Sequence, residues 1–137
     1  MDISLNEPIC AATEMMLDAS HQLRVATIED IVAEKLRALL QQPIRNRDRR
    51  QDLLDLAIVL SSDTELDRER VARFLIRKAA ARRVPVSRAA FHDPDVLIRA
   101  ERDYSALRTT TRHRFAPFVD ADALLHAFVA TLPIPEH

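Results

Sequence analysis

Three charged side chains stand where hydrocarbon is expected. The stretch "IEDIVAEKLRALL" (Ile28–Leu40) sets Lys35 among apolar positions, and "DLLDLAIVL" (Asp52–Leu60) carries Asp52 and Asp55 in an otherwise apolar run. On a helical wheel, Ile28, Ile31, Val32, Leu36 and Leu39 share one face with Lys35 in its middle. Asp30, Glu34 and Arg37 fall on the opposite face, which reads as solvated. Asp52 and Asp55 lie about 60° apart on one side of a second helix. Burying such charges costs several kcal/mol unless each meets an opposite charge. The simplest solution packs the two helices antiparallel, with Lys35 facing Asp52 or Asp55.

Three readings of that arrangement stay open. It can be an ion pair that fixes the register of a helical hairpin. Lys35 can instead run its stem along apolar surface and keep its head at the rim. Or the residues form a site in which Lys35 holds an anionic substrate and an aspartate orients or deprotonates a group. Arg45, Arg47, Arg49 and Arg50 crowd the connector "PIRNRDRRQ" (Pro43–Gln51) and supply further positive charge for phosphate or RNA.

The elements that must position these residues are helical. With 137 residues, no glycine and seven prolines, the chain suits helices joined by short stiff connections. Average usage would give roughly ten glycines. Phosphate-cradling loops that rely on glycine are excluded. Net charge is −1, with 47% hydrophobic residues, as in a soluble globular protein and unlike a strongly cationic nucleic-acid or membrane binder. One cysteine, Cys10, excludes an internal disulfide; it reads as a small buried filler. Neither a secretory signal nor a membrane-spanning run is evident, so a cytoplasmic protein is expected.

Along the chain, "MDISLNEPIC" alternates as a short strand ending near Pro8, with "HQLRVA" (His21–Ala26) as a weak second strand or else a partner outside the chain. Thr27 caps the first helix, with Asp30 in a variant capping box, and Pro43 closes it near Gln42. A second helix runs from about Arg49 to Leu60. A third starts at Ser62 or Asp63, buries Val71, Phe74 and Leu75, and ends before Pro85 with Arg82 and Arg83 at its C-terminus. Its Arg68, Arg70, Arg73 and Arg77 read as a solvated face, with an RNA-facing surface as the alternative. A fourth helix is capped by Asp93 with Pro94 at its first position, and Leu97, Ala100, Tyr104 and Leu107 as its stripe. The last begins after Asp120 and buries Leu124, Leu125, Phe128 and Leu132. His21, His92, His113, His126 and His137 show no metal-ligand spacing.

At "IEDIVAEKLRALLQQ" followed by "RRQDLLDLAIVL" the sequence resembles the C-terminal half of the AbiEii/AbiGii-type nucleotidyltransferase toxins, in which a lysine-bearing helix and a basic stretch precede R-x-x-D-L-x-D-L. "MDISLNEP" looks like the strand before that region, and the likeness extends, less distinctively, into "FLIRKAAARRVPVSRAAFHDPDVLIRAERDYSAL". The resemblance implies a mainly α fold: the helical C-terminal half of a polymerase-β-like nucleotidyltransferase, with a strand remnant over 1–26, a helical hairpin over 27–60 and a helical region over 61–137, forming one continuous domain. It implies NTP and Mg²⁺ as reactants, tRNA as the nucleotide acceptor, and a cognate antitoxin in an abortive-infection or toxin–antitoxin pair. Lys35 would bind the NTP phosphates. Asp52, favoured over Asp55, would be the acidic site residue.

The family's Gly-Ser turn and D-x-D metal motif are not present. "DPD" (Asp93–Asp95) and "DAD" (Asp120–Asp122) each begin an expected helix and read as caps. Asp2 is either an exposed strand residue or a remnant of a metal-facing carboxylate. No complete Mg²⁺ site is therefore expected, and the chain reads as a truncated, catalytically impaired form that relies on a missing N-terminal half. The alternative is a non-catalytic helical interaction module that binds an antitoxin or another subunit.

Overall fold

The structure, a computed structural model, describes residues 12–14, 24–111 and 114–137. It is mainly helical. A short antiparallel ladder joins β1 (Ala12–Glu14) to β2 (Arg24–Ala26), with Ala12 opposite Ala26. The expected strand at Met1–Pro8, together with Asp2 and Cys10, lies outside the described residues. β2 falls within the expected His21–Ala26 segment, and its partner is a stretch that sequence alternation does not single out.

Helix α1 (Ile28–Arg45) opens as its sequence predicts: the Asp30 N–H donates to Thr27 Oγ1 at 3.1 Å. Its end differs from expectation. Pro43 lies inside the helix, which runs on to Arg45 and closes at Asn46 in the left-handed region, φ 52°. A proline here removes the N–H that would reach the Leu39 carbonyl four residues back. The side chain of Gln42 replaces it, its Nε2 donating to Leu39 O at 2.9 Å. The same amide nitrogen donates to Val96 O at 3.1 Å, and its Oε1 accepts the Arg49 N–H at 2.8 Å. One fully buried glutamine thus repairs the proline break and ties two later segments to α1.

Helix α2 (Arg50–Leu60) follows with Arg49 at its N-cap. As α1 is followed back from Gln42 to Lys35, its partners on α2 move forward from Arg49 to Asp55, so the two helices run antiparallel. α3 (Arg68–Ala81) starts later than predicted. Asp67 is its cap, accepting the Arg70 N–H at 3.1 Å. Of the cap-capable residues in "SSDTELD", Asp67 is the one whose own N–H finds an acceptor on α1, Glu29 Oε2 at 3.2 Å. Leu66 and Val71 then occupy the positions of a hydrophobic staple. Val71, Phe74 and Leu75 are buried as expected.

Helix α4 (Pro94–Glu101) has the predicted Asp93 cap, bonded to the Asp95 N–H at 2.9 Å. It buries Val96 rather than Leu97, along with Ala100. It also does not continue through Tyr104: Asp103 adopts φ 56°, and a 3₁₀ turn leads into the short α5 (Leu107–Thr111). Tyr104 is buried against Phe115 and Phe118, and its hydroxyl donates to Ala116 O at 2.6 Å. Burial pushes its pKa up to about 12, so it remains a donor. α6 (Phe118–Ala130) begins before Asp120, with Pro117 at the cap, and buries Ala121, Leu125, Phe128 and Val129 while Leu124 is only partly covered.

The core forms where α1 packs on α3 and α2 on α6, with Leu36, Leu39, Leu53, Leu54, Leu75 and Leu125 at its centre. The C-terminal tail closes one side. Leu132 and Ile134 are buried, and Arg88 holds the tail through its backbone N–H to Pro135 O at 2.8 Å and its side chain to Leu132 O at 2.6 Å.

Gln42→Leu keeps the volume, leaves the Leu39 carbonyl and the Arg49 N–H without their Gln42 partner, and removes a second bond from the Val96 carbonyl inside α4. Urea unfolding should show a loss of about 2–4 kcal/mol. Adding Pro43→Ala restores a donor for Leu39 O and should recover about 1 kcal/mol of that loss. A loss under about 0.5 kcal/mol for Gln42→Leu would show that the backbone groups find other partners.

Candidate functional site

The Lys35 ammonium lies between the two aspartates of α2, with Nζ 3.2 Å from Asp52 Oδ1 and 2.8 Å from Asp55 Oδ2. The pair forms because α2 begins opposite Gln42 and runs back along α1, so its first turns reach the level of Lys35. The aspartates are three residues apart and therefore flank a single partner. Asp55 is also held from its own helix, its Oδ1 accepting from Gln51 Nε2 at 2.9 Å. By distance Asp55, not Asp52, is the tighter partner.

The environment is half-dry. The side chains of Lys35 and Asp52 are 19% and 20% exposed, and that of Asp55 is 34% exposed. Burial alone would lower the Lys35 pKa. The hydrogen bond to Asp55 and the charges of both aspartates outweigh that effect and raise it above 10.5. The ammonium has three donors and the aspartates use two. The group can therefore offer one further N–H to an anion that approaches from the exposed side.

The opposite side of α1 is not solvated, contrary to its sequence pattern. Asp30 and Arg37 are buried, because α3 covers this face. Lys78 of α3 enters there, with Nζ 3.0 Å from Asp30 Oδ1 and 3.2 Å from Glu34 Oε2. Arg37 donates to Glu34 Oε1 and to Gln41 Oε1, which extends the network along α1. Lys78 is only 5% exposed, drier than Lys35. Nothing in the α3 sequence marks it except its helical spacing from Val71, Phe74 and Leu75, which puts it on the inward face.

The connector arginines are placed elsewhere. Arg45, Arg47 and Arg49 are exposed and Arg50 is half-buried. Ten residues of α1 separate Lys35 from Arg45, a rise of about 15 Å. Asp48, between Arg47 and Arg49, is engaged by Arg99 of α4 and by Arg102 at its C-cap: Arg102 Nη1 lies 3.4 Å and Arg99 Nη1 3.7 Å from its Oδ1. Arg99 also donates to Asn46 Oδ1 at 3.0 Å. Nothing in the sequence around Arg99 and Arg102 marks these two arginines.

Of the D-x-D triplets, Asp93 is a cap, whereas Asp120 and Asp122 lie within the first turns of α6. His92 stacks on His126 with ring centroids 4.3 Å apart, and His126 Nε2 is 3.0 Å from Asp122 Oδ1. His21 and His113 lie outside the described residues. Among the described residues, no group of three or more His, Cys, Asp or Glu is arranged to hold a metal. Asp52 and Asp55 do not by themselves make a magnesium centre: one oxygen of each is engaged by the Lys35 ammonium, the other oxygen of Asp55 accepts from Gln51, and no third acidic ligand joins them among the described residues. Among the described residues, no helix is long and apolar enough to cross a membrane.

The family model described as "Nucleotidyl transferase AbiEii toxin, Type IV TA system" matches residues 1–127, a span that contains Lys35, Asp52, Asp55 and the connector. Neither a curated protein nor a solved structure matches the chain.

Replacing Lys35 by Met leaves two half-buried carboxylates facing each other. Because the pair is partly solvated, the expected loss is about 1–2 kcal/mol rather than the larger cost of a fully buried pair. The sign of the pH dependence follows from the raised pKa. The Lys35 contribution is fully present below its unfolded value of 10.5 and is lost as pH rises through the higher folded value. Urea unfolding of both proteins should show a constant difference at neutral pH that narrows only in alkali above that value. A difference that vanishes nearer neutrality would contradict the pairing.

Proposed function

The chain belongs to the AbiEii nucleotidyl transferase toxin family of type IV toxin–antitoxin systems, and from that premise we propose that the Lys35 fork is its contact with the phosphates of an NTP. In the proposed reaction an RNA hydroxyl, on a tRNA acceptor, gives up its proton to solvent as its oxygen bonds to the α-phosphorus of the NTP. The bond from that phosphorus to the bridging oxygen breaks and pyrophosphate leaves. A cognate antitoxin is the protein's genetic partner.

The observation that carries this reading is the state of the Lys35 ammonium: fixed by two carboxylates, yet 19% exposed with a donor to spare. A positive charge held in place in a partly dry setting stabilises departing phosphate charge far better than a mobile one in water. Asp52 and Asp55 orient the ammonium and keep it protonated.

A second reading is supported by the other side of α1. Lys78 repeats the arrangement of a lysine between two acids at 5% exposure, where it serves packing. On that reading Lys35 does the same, and the chain is a non-catalytic helical interaction module.

Titration calorimetry with each of the four NTPs separates the two. The proposal expects binding that weakens at least tenfold, about 1.4 kcal/mol, in Lys35→Met, with circular dichroism showing the helices retained. Silence with every NTP for the wild-type protein, or equal binding by the variant, would favour the module. Asp55→Asn should weaken NTP binding more than Asp52→Asn, because Asp55 is the closer partner.

A further inference from the structure

Helix α6 is apolar nearly all round, but only one side of it is covered. In "FVDADALLHAFVA" the polar residues are Asp120, Asp122 and His126, and the last two pair with each other at 3.0 Å. A helix of this composition is normally enclosed on every side. Ala121, Leu125, Phe128 and Val129 do face the core. On the opposite face of the wheel Val119, Ala123, Ala127 and Ala130 are exposed, Val119 to 76%. Beside that face a groove of about 640 Å³ opens between α6 and the 61–67 connection, and Leu60, Leu66 and Leu124, each only half-buried, help to line it.

The two ends of this surface carry opposite charges. Asp120, in the first turn of α6, is exposed and has no ion pair among the described residues. Arg68 stands at the other end. Its Nε donates to Thr131 Oγ1 at 2.7 Å, and its guanidinium carbon lies 5.4 Å from the centre of the Phe128 ring. Those contacts fix the group in place. No carboxylate pairs with it among the described residues, and its two terminal nitrogens keep donors for an incoming acid. Eleven residues of helix separate Asp120 from Thr131, a rise of about 16 Å.

We propose that α6 docks on α6 of a second copy of this chain, antiparallel, across a two-fold axis. With the axis at the level of Leu125, Ala123 of each copy meets Ala127 of the other, and two small side chains let the helices approach closely. Val119 then reaches the exposed Ala130, and Asp120 comes to the last turn of the opposite helix, beside Arg68. Leu124, one residue from the axis, extends over the groove of the other copy. A surface with an apolar middle and opposite charges at its ends complements itself when reversed, which is the property of an isologous interface. A net charge of −1 per chain adds little repulsion between copies. The pairing uses none of Lys35, Asp52 or Asp55, so it stands independently of the NTP contact.

Sedimentation velocity of the full chain over about 1–300 µM tests the pairing. The wild-type protein should pass from monomer to dimer across that range. Ala127→Glu, which puts a charge in the apolar middle, should weaken the dimer at least about tenfold, with circular dichroism showing the helices retained. Asp120→Arg alone and Arg68→Glu alone should each weaken it as well, because reversing one charge sets like charges against each other. Mixing these two variants should restore association. In the mixed dimer the arginine introduced at 120 faces the glutamate introduced at 68, and the native Asp120 and Arg68 face each other at the other end. Damage to the packing of Arg68 on Phe128 could not be repaired by mixing, so recovery reads the contact between copies. A monomer at every concentration, a dimer indifferent to Ala127→Glu, or no recovery on mixing would overturn the proposal.

Discussion

An ammonium taken out of water without an anion costs several kcal/mol, and α1 meets that constraint on both of its flanks. On one side its own Lys35 reaches the paired aspartates of α2; on the other its Asp30 and Glu34 receive Lys78 from α3. The arrangement runs in opposite directions, lysine out and carboxylates in, so a rotation of α1 about its axis would break both forks together. Apolar contacts of Leu36 and Leu39 supply the attraction between the helices. The charges decide which residue faces which.

The two forks differ in exposure, and that difference bears on what each can do. Lys78 is closed off by packing. Lys35 sits at the edge of the interface, with a donor that the aspartates leave unused. A site that binds an anionic ligand needs both properties, a fixed charge and a path to it. The same chemistry therefore gives a structural clamp in one place and a candidate ligand contact in the other, and burial alone separates them.

Gln42 has a comparable role for the backbone. The proline that follows it would end most helices. Here the amide takes the missing donor's place, extends α1 by three residues and, through Arg49 N–H, sets where α2 starts. That start places Asp52 and Asp55 at the level of Lys35. It also turns the arginine-rich connector outward at one end of the hairpin, where α4 captures Asp48 and leaves its neighbours without a counter-charge. One buried side chain thus links the end of α1, the start of α2 and α4.

Much of this was legible in the sequence. The absence of glycine, the apolar periodicities and the caps at Thr27 and Asp93 specify a helical chain, because each acts over a few residues and needs no distant partner. A lysine in the middle of an apolar face, with two aspartates spaced for one helix side, makes an ion pair the simplest outcome, and the structure decides it over a lysine head carried to the rim. Other features depended on contacts between segments far apart in sequence. The Asp30–Glu34–Arg37 face looked solvated, since periodicity reveals one covered side of a helix and α1 is covered on two. Pro43 looked like a stop because the repair comes from a side chain locked by Val96 and Arg49. Asp67 became the cap of α3 because Glu29 waited for its N–H. Local free-energy preferences of about 1 kcal/mol settle which elements form, whereas the burial of charge, which is worth several times more, is decided only when the helices meet.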